Sequence, residues 1–123
     1  MKDLFSLEGK IALVTGGSTG IGAMIAEGFL HYGAKVYIVS RRDEILKKTQ
    51  KKLSKIGSCD YIVADLGSLK GVQSLVKTYC EREKSLDILV NNAGVSDGGI
   101  EIEDITEETW DSVMDINIKI IFF

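Results

Sequence analysis

Residues 15–22 read Thr15-Gly16-Gly17-Ser18-Thr19-Gly20-Ile21-Gly22, between an apolar run at residues 11–14 and a segment of helical periodicity that begins at Ile21. A strand, a glycine turn and a helix together hold a phosphate, because the first N–H groups of a helix lack intrahelical partners and the helix dipole is positive there. Glycines let the phosphate approach the backbone closely. The spacing G-x-x-x-G-x-G differs from the general dinucleotide fingerprint G-x-G-x-x-G but uses the same mechanism.

Short apolar runs alternate with longer segments of helical periodicity along the chain, which predicts a parallel sheet with helices on both faces. Strands are expected at about 10–15, 36–39, 61–64 and 86–91, and helices at about 21–32, 43–55, 69–84 and from 107 onward, after Thr106 as N-cap. Right-handed crossovers with one reversal after the third strand give the order 3-2-1-4. The chain is therefore expected to form an α/β, Rossmann-like doubly wound sheet, truncated to about four strands, that binds ligands beyond the carboxyl ends of its strands.

Composition excludes several classes of function. The chain has 123 residues, of which 45% are hydrophobic and 27% charged, and a net charge of -3, so it resembles one globular domain without the basic surface that nucleic acids require. It has no signal-peptide layout and no apolar run near the roughly 20 residues that span a bilayer, so a cytoplasmic protein without a membrane partner is expected. One histidine and two separated cysteines predict no metal site, and Cys80 is expected to be buried in a helix.

Ser40-Arg41-Arg42 follows the second expected strand, about twenty positions after the glycine turn. An NAD-binding protein places an acid at this point to hold the ribose 2′-hydroxyl. Arginine instead forms paired hydrogen bonds with a 2′-phosphate, which a carboxylate would repel. The segment therefore predicts NADP(H) as the cofactor. The alternative is an exposed basic pair at a helix start, with Asp43 and Glu44 offsetting its unfavourable interaction with the helix dipole.

Polar residues also follow the third and fourth expected strands. Asp65, next to Leu66, is placed to accept a hydrogen bond from an adenine amino group, although aspartate is also a common helix N-cap. Asn91-Asn92-Ala93-Gly94 combines two amides that tie neighbouring strands with two small residues that admit a ligand; a simple turn is the alternative. Asn117 interrupts an apolar helix face, so it is either a structural hydrogen-bonding residue or part of a site.

Taken together, these motifs resemble the classical short-chain dehydrogenase/reductase family. The resemblance extends from about Leu7 to the last residue, and residues 5–18 look especially like the 3-oxoacyl carrier-protein reductases of the rhamnolipid-synthesis type. It implies an NADP(H)-dependent oxidoreductase that reduces a carbonyl, for example of a 3-oxoacyl thioester, to an alcohol and that forms a homo-oligomer when full length. It also implies that Asn117 supports a proton relay and that the cofactor contacts Thr15, Gly16, Ser18, Gly20, Ile21, Gly22, Ser40, Arg41, Arg42, Asp65, Leu66, Asn91, Ala93 and Gly94.

The residues that perform the reduction in that family are missing from this sequence. The family uses a serine and a Tyr-x-x-x-Lys pair, in which the lysine lowers the pKa of the tyrosine that protonates the substrate. The four tyrosines here are followed four positions later by Val36, Arg41, Asp65 and Glu83. Residues 1–123 are therefore expected to be a partial NAD(P)-binding Rossmann domain that lacks the catalytic half and is inactive alone. The alternatives are a non-catalytic nucleotide-binding or regulatory module and a gene-model fragment.

The final residues, 118–123, are mostly apolar and contain neither a glycine stop nor a polar cap. A complete doubly wound domain covers the outer edge of its fourth strand and packs this helix against another. The strand edge and the last helix are therefore expected to expose apolar surface, which favours oligomerisation.

Overall fold

The computed structural model describes residues 4–123. Strands and helices alternate in the order β1 (Ile11–Thr15), α1 (Gly20–His31), β2 (Lys35–Ser40), α2 (Asp43–Leu53), β3 (Cys59–Val63), α3 (Leu69–Arg82) and β4 (Ile88–Val90). A 3-10 turn (Ile102–Asp104), α4 (Glu107–Met114), a π-helical turn (Asp115–Lys119) and α5 (Ile120–Phe122) follow. The strands form one parallel sheet in the order β3-β2-β1-β4. This confirms the expected α/β class and the doubly wound order.

The sheet has two apolar faces because side chains alternate along β1 and β2, which lie at its centre. The strands bury Ala12, Val14, Val36 and Ile38 on the face covered by α1 and α2, and these helices contribute Ala26, Leu30, Leu46 and Leu53. On the face covered by α3 the buried residues are Leu13, Tyr37, Val39, Ile62, Leu75 and Tyr79. Helices therefore cover both faces and leave the carboxyl ends of the strands open for a site.

Several element boundaries differ from the sequence expectation by one or two residues. β3 begins at Cys59 rather than at residue 61, because its pairing with β2 starts at Val36 opposite Cys59. β4 pairs with β1 over only three residues, Ile88 to Val90. The final helix is interrupted by the π-helical turn, which lies between α4 and α5 and contains Asn117.

Cys80 is exposed, so the expectation that it is buried is wrong. The buried positions of α3 are Leu75 and Tyr79, and each further residue of a helix turns by about 100°. Cys80 therefore points away from the line of residues that faces the sheet. Ile21, the second residue of α1, is 66% exposed.

A polar cluster joins the end of α3 to β2. The carboxylate of Glu83 accepts hydrogen bonds from the Lys35 ammonium group and from the hydroxyl of Tyr37, which lies 2.6 Å away. Tyr37 is almost completely buried, and the Tyr79 ring packs edge-on against it with ring centroids 5.3 Å apart. The hydrogen bonds from Lys35 and Tyr37 lower the pKa of Glu83 below its ordinary value of 4.5.

Replacement of Glu83 by alanine is expected to lower the free energy of unfolding by about 1–3 kcal/mol, because the buried Tyr37 hydroxyl loses its acceptor. Since the pKa of Glu83 is lower in the folded state, its contribution is present above the unfolded pKa of 4.5 and is lost as the pH falls through the folded pKa. Urea unfolding at neutral and acidic pH measures both effects. Between neutral and acidic pH, Glu83→Gln, which lacks the charge, should lose less free energy of unfolding than the wild type. An equal loss would contradict the assignment of this pH dependence to Glu83.

The outer edge of β4 and the last helix expose apolar side chains, as expected. Among residues 4–123, β4 pairs only with β1, and Leu89 and Phe122 are exposed. Leu89 and Phe122 also line an apolar cavity of about 490 Å³ between α3 and the carboxyl-terminal helical residues. No helix in the described part of the chain has the length and hydrophobicity needed to cross a membrane.

Candidate cofactor site

A cavity of about 500 Å³ opens at the carboxyl ends of the strands, which is the edge where doubly wound sheets bind ligands. Its size lies within the range of small-molecule sites, roughly 300–1,000 Å³. The residues that line it come from the end of β2, the start of α1, the loops after all four strands and the π-helical turn: Gly16, Ser18, Thr19, Ile21, Val39, Ser40, Arg41, Arg42, Ala64, Asp65, Leu66, Gly67, Asn92, Ala93, Gly94, Val95 and Ile116.

Ten of the fourteen residues expected to contact the cofactor line this cavity. They are Gly16, Ser18, Ile21, Ser40, Arg41, Arg42, Asp65, Leu66, Ala93 and Gly94. Gly20 and Gly22 lie in the first turn of α1 and line neither this cavity nor the apolar one, whereas Thr15 lines the apolar cavity. Asn91 instead lines the apolar cavity on the other face of the sheet. Asn117 lies beneath the cavity wall, where it contacts Val95.

Neighbouring atoms lie so close to two glycines of the turn, Gly16 and Gly22, that a side chain there would overlap them. Gly16 has a φ of 64°, and a side-chain Cβ there would lie 2.9 Å from Asn92 Nδ2. A Cβ on Gly22 would lie 2.2 Å from the Gly16 carbonyl oxygen, far inside van der Waals contact. Only glycine fits at Gly22, so the first turn of α1 packs directly on the loop that leaves β1.

The amino end of α1 faces this cavity. Gly20 is the first residue of α1, and its N-cap, Thr19, is extended and makes no side-chain capping hydrogen bond. The first N–H groups of a helix attract an anion, and the positive end of the helix dipole adds to that attraction. Because Thr19 and Ile21 both line the cavity, this helix start can receive a phosphate.

Ser40, Arg41 and Arg42 form a basic edge of the cavity after β2. The Ser40 hydroxyl accepts a hydrogen bond from the Arg42 N–H at 3.3 Å, which fixes the bend between β2 and α2. Asp43 pairs with Lys47, with 2.7 Å between Asp43 Oδ2 and Lys47 Nζ. Within residues 4–123, neither arginine forms an ion pair with a carboxylate. Asp43 and Glu44 both lie in the first turn of α2, as the alternative of an exposed basic pair requires, and the two arginines line the cavity, as the anion-binding interpretation requires.

Asp65 and Leu66 follow β3, the neighbour of β2 in the sheet, and also line the cavity. Asp65 Oδ1 accepts a hydrogen bond from the Gly67 N–H at 2.9 Å, which holds the loop in a tight turn. The helix after this loop is capped by Ser68, whose hydroxyl accepts from the Gly71 N–H, and not by Asp65. The N-cap alternative for Asp65 is therefore wrong, because the helix starts three residues later than that role requires.

Asn92 joins the segment after β4 to the glycine turn, as expected of an amide that ties neighbouring strands, although it is not among the residues expected to contact the cofactor. Its Nδ2 donates to the carbonyl oxygens of Thr15 and Gly16 at 3.1 and 3.2 Å. The Thr15 hydroxyl accepts from the N–H groups of Asn92 and Ala93, both at 3.0 Å, and donates to the Val90 carbonyl at 3.3 Å. Asn91 and Asn92 follow β4, where the Asn92 N–H donates to the Val90 carbonyl at 3.1 Å, and they face different cavities.

Asn117 forms two hydrogen bonds with the loop after β4, one through its amide oxygen and one through its amide nitrogen. Its Oδ1 accepts from the Val95 N–H at 2.9 Å and its Nδ2 donates to the Val95 carbonyl at 2.8 Å. This pair of bonds makes Asn117 a hydrogen-bonding residue that holds the backbone of this loop. It also fixes the neighbouring residue Gly94, which lines the cavity.

The described residues contain no group of three or more histidine, cysteine, aspartate or glutamate side chains placed to hold a metal ion. The polar groups of the cavity are backbone amides, hydroxyls, two guanidinium groups and one carboxylate. This set suits a ligand that carries phosphates, hydroxyls and an aromatic base.

Residues 10–123 match the family model of short chain dehydrogenases. The chain is 47% identical over 122 residues to the rhamnolipids biosynthesis 3-oxoacyl-[acyl-carrier-protein] reductase of Pseudomonas aeruginosa, with coverage of 99% of this chain and 47% of that protein. It is 38% identical over 117 residues to zerumbone synthase of Zingiber zerumbet, with coverage of 94% and 44%. The chain thus spans about half the length of the curated relatives it matches.

Solved structures show the same similarity to reductases of this family. The RhlG/NADP active-site complex of Pseudomonas aeruginosa superposes with a TM-score of 0.93 at 47% identity, over 99% of this chain and 47% of that one. L-sorbose reductase of Gluconobacter frateurii, in complex with NADPH and L-sorbose, gives a TM-score of 0.89 at 29% identity, over 96% and 45%. The resemblance inferred from the motifs is therefore confirmed, and the chain belongs to the short-chain dehydrogenase family.

Proposed function

We propose that this chain is the NADP(H)-binding part of an oxidoreductase that reduces a carbonyl to an alcohol. One observation carries the proposal: a single cavity combines the glycine turn, the basic edge at Ser40 to Arg42 and the Asp65 carboxylate. Two related structures, at TM-scores of 0.93 and 0.89, are complexes with NADP and NADPH. The cavity presents the chemical groups that such a dinucleotide needs.

Each part of the cavity suits one part of the cofactor. The start of α1 would hold the diphosphate, because its N–H groups and dipole favour an anion. Arg41 and Arg42, with the Ser40 hydroxyl, would hold the 2′-phosphate by charge-assisted hydrogen bonds. Asp65 would accept from the adenine amino group, and Leu66 would cover the ring. When bound, the nicotinamide supplies a hydride to the carbonyl carbon.

The backbone of residues 93–95 would lie near the adenosine ribose. Asn117 holds this segment through the Val95 amide and carbonyl, and Thr15 and Asn92 hold it through β1. In this account Asn117 supports the proton relay by keeping this backbone in place. The remaining relay residues, a serine and a Tyr-x-x-x-Lys pair, are absent from the 123-residue sequence.

The substrate class that we propose for the whole enzyme is a 3-oxoacyl thioester. The support is the 47% identity to a 3-oxoacyl-[acyl-carrier-protein] reductase along almost the whole of this chain. We further propose that residues 1–123 form a partial domain, that the full-length enzyme is a homo-oligomer, and that this chain alone binds NADPH without oxidising it.

Fluorescence titration with NADPH, followed by absorbance at 340 nm after addition of a 3-oxoacyl thioester, tests this proposal. We expect saturable NADPH binding and no substrate-dependent loss of absorbance. Failure to bind NADPH would contradict the cofactor assignment. Substrate-dependent oxidation would contradict the assignment of the catalytic residues to a part of the enzyme outside this chain.

A second candidate is a nucleotide-binding module without chemistry, which the lack of any Tyr-x-x-x-Lys pair favours. The mass of the product isolated from the native organism separates the two candidates. About twice 13.5 kDa, with a downstream serine and Tyr-x-x-x-Lys pair, would support the reductase. A native product of 13.5 kDa that binds NADPH would support the module.

A further inference from the structure

The glycine turn is linked to the side of α2 by a hydrogen bond outside the cavity. The Thr49 hydroxyl, in the second turn of α2, donates to the Ser18 carbonyl oxygen at 2.7 Å. Ser18 is 4% exposed, so this carbonyl lies in a poorly hydrated environment where a hydrogen bond is stronger than in water. Thr49 itself does not line the cavity.

Two more hydrogen bonds connect the glycine turn with the end of β2 and with Arg42 of the basic edge. The Gly17 N–H donates to the Val39 carbonyl at 3.2 Å, and Arg42 Nη2 donates to the Thr19 hydroxyl at 3.4 Å. Residues 40–42 therefore lie between two points, Val39 and Thr49, that are both bonded to the glycine turn. The segment cannot shift away from the turn without breaking one of these bonds.

From this arrangement we propose that Thr49 is a positioning residue that sets the distance between two anion sites, the start of α1 and the basic edge. The inference rests on the proposed function, since it assumes that NADP(H) occupies both sites at once. A ligand that spans two sites binds tightly only when their separation matches its length, because the second contact is then made at a high effective concentration. A ligand that reaches only one site does not depend on that separation.

Thr49→Val keeps the shape of the side chain and removes the donor, so it tests this role directly. We expect the affinity for NADP⁺ to fall about fivefold, as the loss of one hydrogen bond of about 1 kcal/mol predicts. The affinity for adenosine 2′-monophosphate, which has no diphosphate and so reaches the basic edge but not the start of α1, should change less than about twofold. Thr49→Ser, which retains the hydroxyl, should keep the wild-type affinity for both ligands.

Gln50→Leu provides the matched control. Gln50 Nε2 donates to the Cys59 carbonyl at 3.0 Å, so this substitution removes a bond from the same helix to the backbone without affecting the turn. It should leave the ratio of the two affinities unchanged. Thermal unfolding of each variant identifies loss of fold, and Thr49→Ala replaces Thr49→Val if the valine variant does not fold.

The outcomes separate this inference from the proposed function. A fall in NADP⁺ affinity alone, restored by Thr49→Ser, supports the positioning role. An equal fall for both ligands, or no fall, overturns it while the wild-type chain still binds NADP⁺. If the wild-type chain binds neither ligand, the proposed function itself fails, and this inference fails with it.

Discussion

Substitution of Gly22 by alanine is expected to reduce NADPH binding below detection. The added Cβ would lie 2.2 Å from the Gly16 carbonyl oxygen and 2.5 Å from Asn92 Nδ2. Both neighbours are fixed, one as backbone and the other by its bonds to Thr15 and Gly16, so the start of α1 must move away from the loop. Overpacking of this kind costs about 1–3 kcal/mol or more of stability, and the displaced N–H groups no longer face the phosphates.

Gly28→Ala is the matched control, because Gly28 lies in the same helix and a Cβ there meets nothing within 4 Å. Alanine is favoured over glycine in a helix interior by about 1 kcal/mol, so this variant should be slightly more stable and should bind NADPH like the wild type. Thermal unfolding and fluorescence titration measure both properties. A Gly22→Ala variant that keeps wild-type NADPH affinity would show that the turn does not hold the cofactor.

Arg41→Ala is expected to weaken NADPH binding about 10- to 100-fold while changing NADH binding less than about twofold. Hydrogen bonds to a charged group contribute about 1.5–3 kcal/mol, and only NADPH carries the 2′-phosphate that would receive them. Because the Arg41 guanidinium has no carboxylate partner within residues 4–123, its removal leaves no buried acid unpaired. The loss should therefore appear in binding and not in stability.

Lys51→Ala is the corresponding control, since Lys51 is an exposed cation in the last turn of α2, away from the cavity. It changes the net charge by the same amount and should affect both cofactors weakly and equally. Calorimetric titration of both variants with NADPH and NADH makes the comparison. Equal losses for the two cofactors in Arg41→Ala would mean that this arginine does not contact the 2′-phosphate.

The sequence was sufficient to predict the sheet order and most of the cavity, because both depend on local patterns. Apolar runs define the strands, and the glycine spacing defines the turn at Gly16 to Gly22. The residues after each strand then meet at one edge for topological reasons alone. Ser40, Asp65 and Ala93, which are far apart in the chain, line the same cavity as expected.

The parts that could not be predicted depend on the direction of single side chains. Asn91 and Asn92 are identical in type and adjacent, and only the course of the backbone after β4 decides which of them faces the glycine turn. Cys80 is exposed although its neighbour Tyr79 is buried, because a helix turns by about 100° per residue. The Thr49 bond to Ser18 joins residues 31 positions apart, and no sequence pattern marks it.

Calorimetric titration of the wild-type chain with NADP⁺ and with NAD⁺, under the same buffer and salt conditions, tests the central claim most directly. The basic edge predicts saturable binding of NADP⁺ about 10- to 100-fold tighter than that of NAD⁺, the difference that charge-assisted bonds to one phosphate provide. Added salt should reduce this difference by screening. Equal affinities for the two cofactors, or tighter binding of NAD⁺, would contradict the assignment of this cavity to NADP(H).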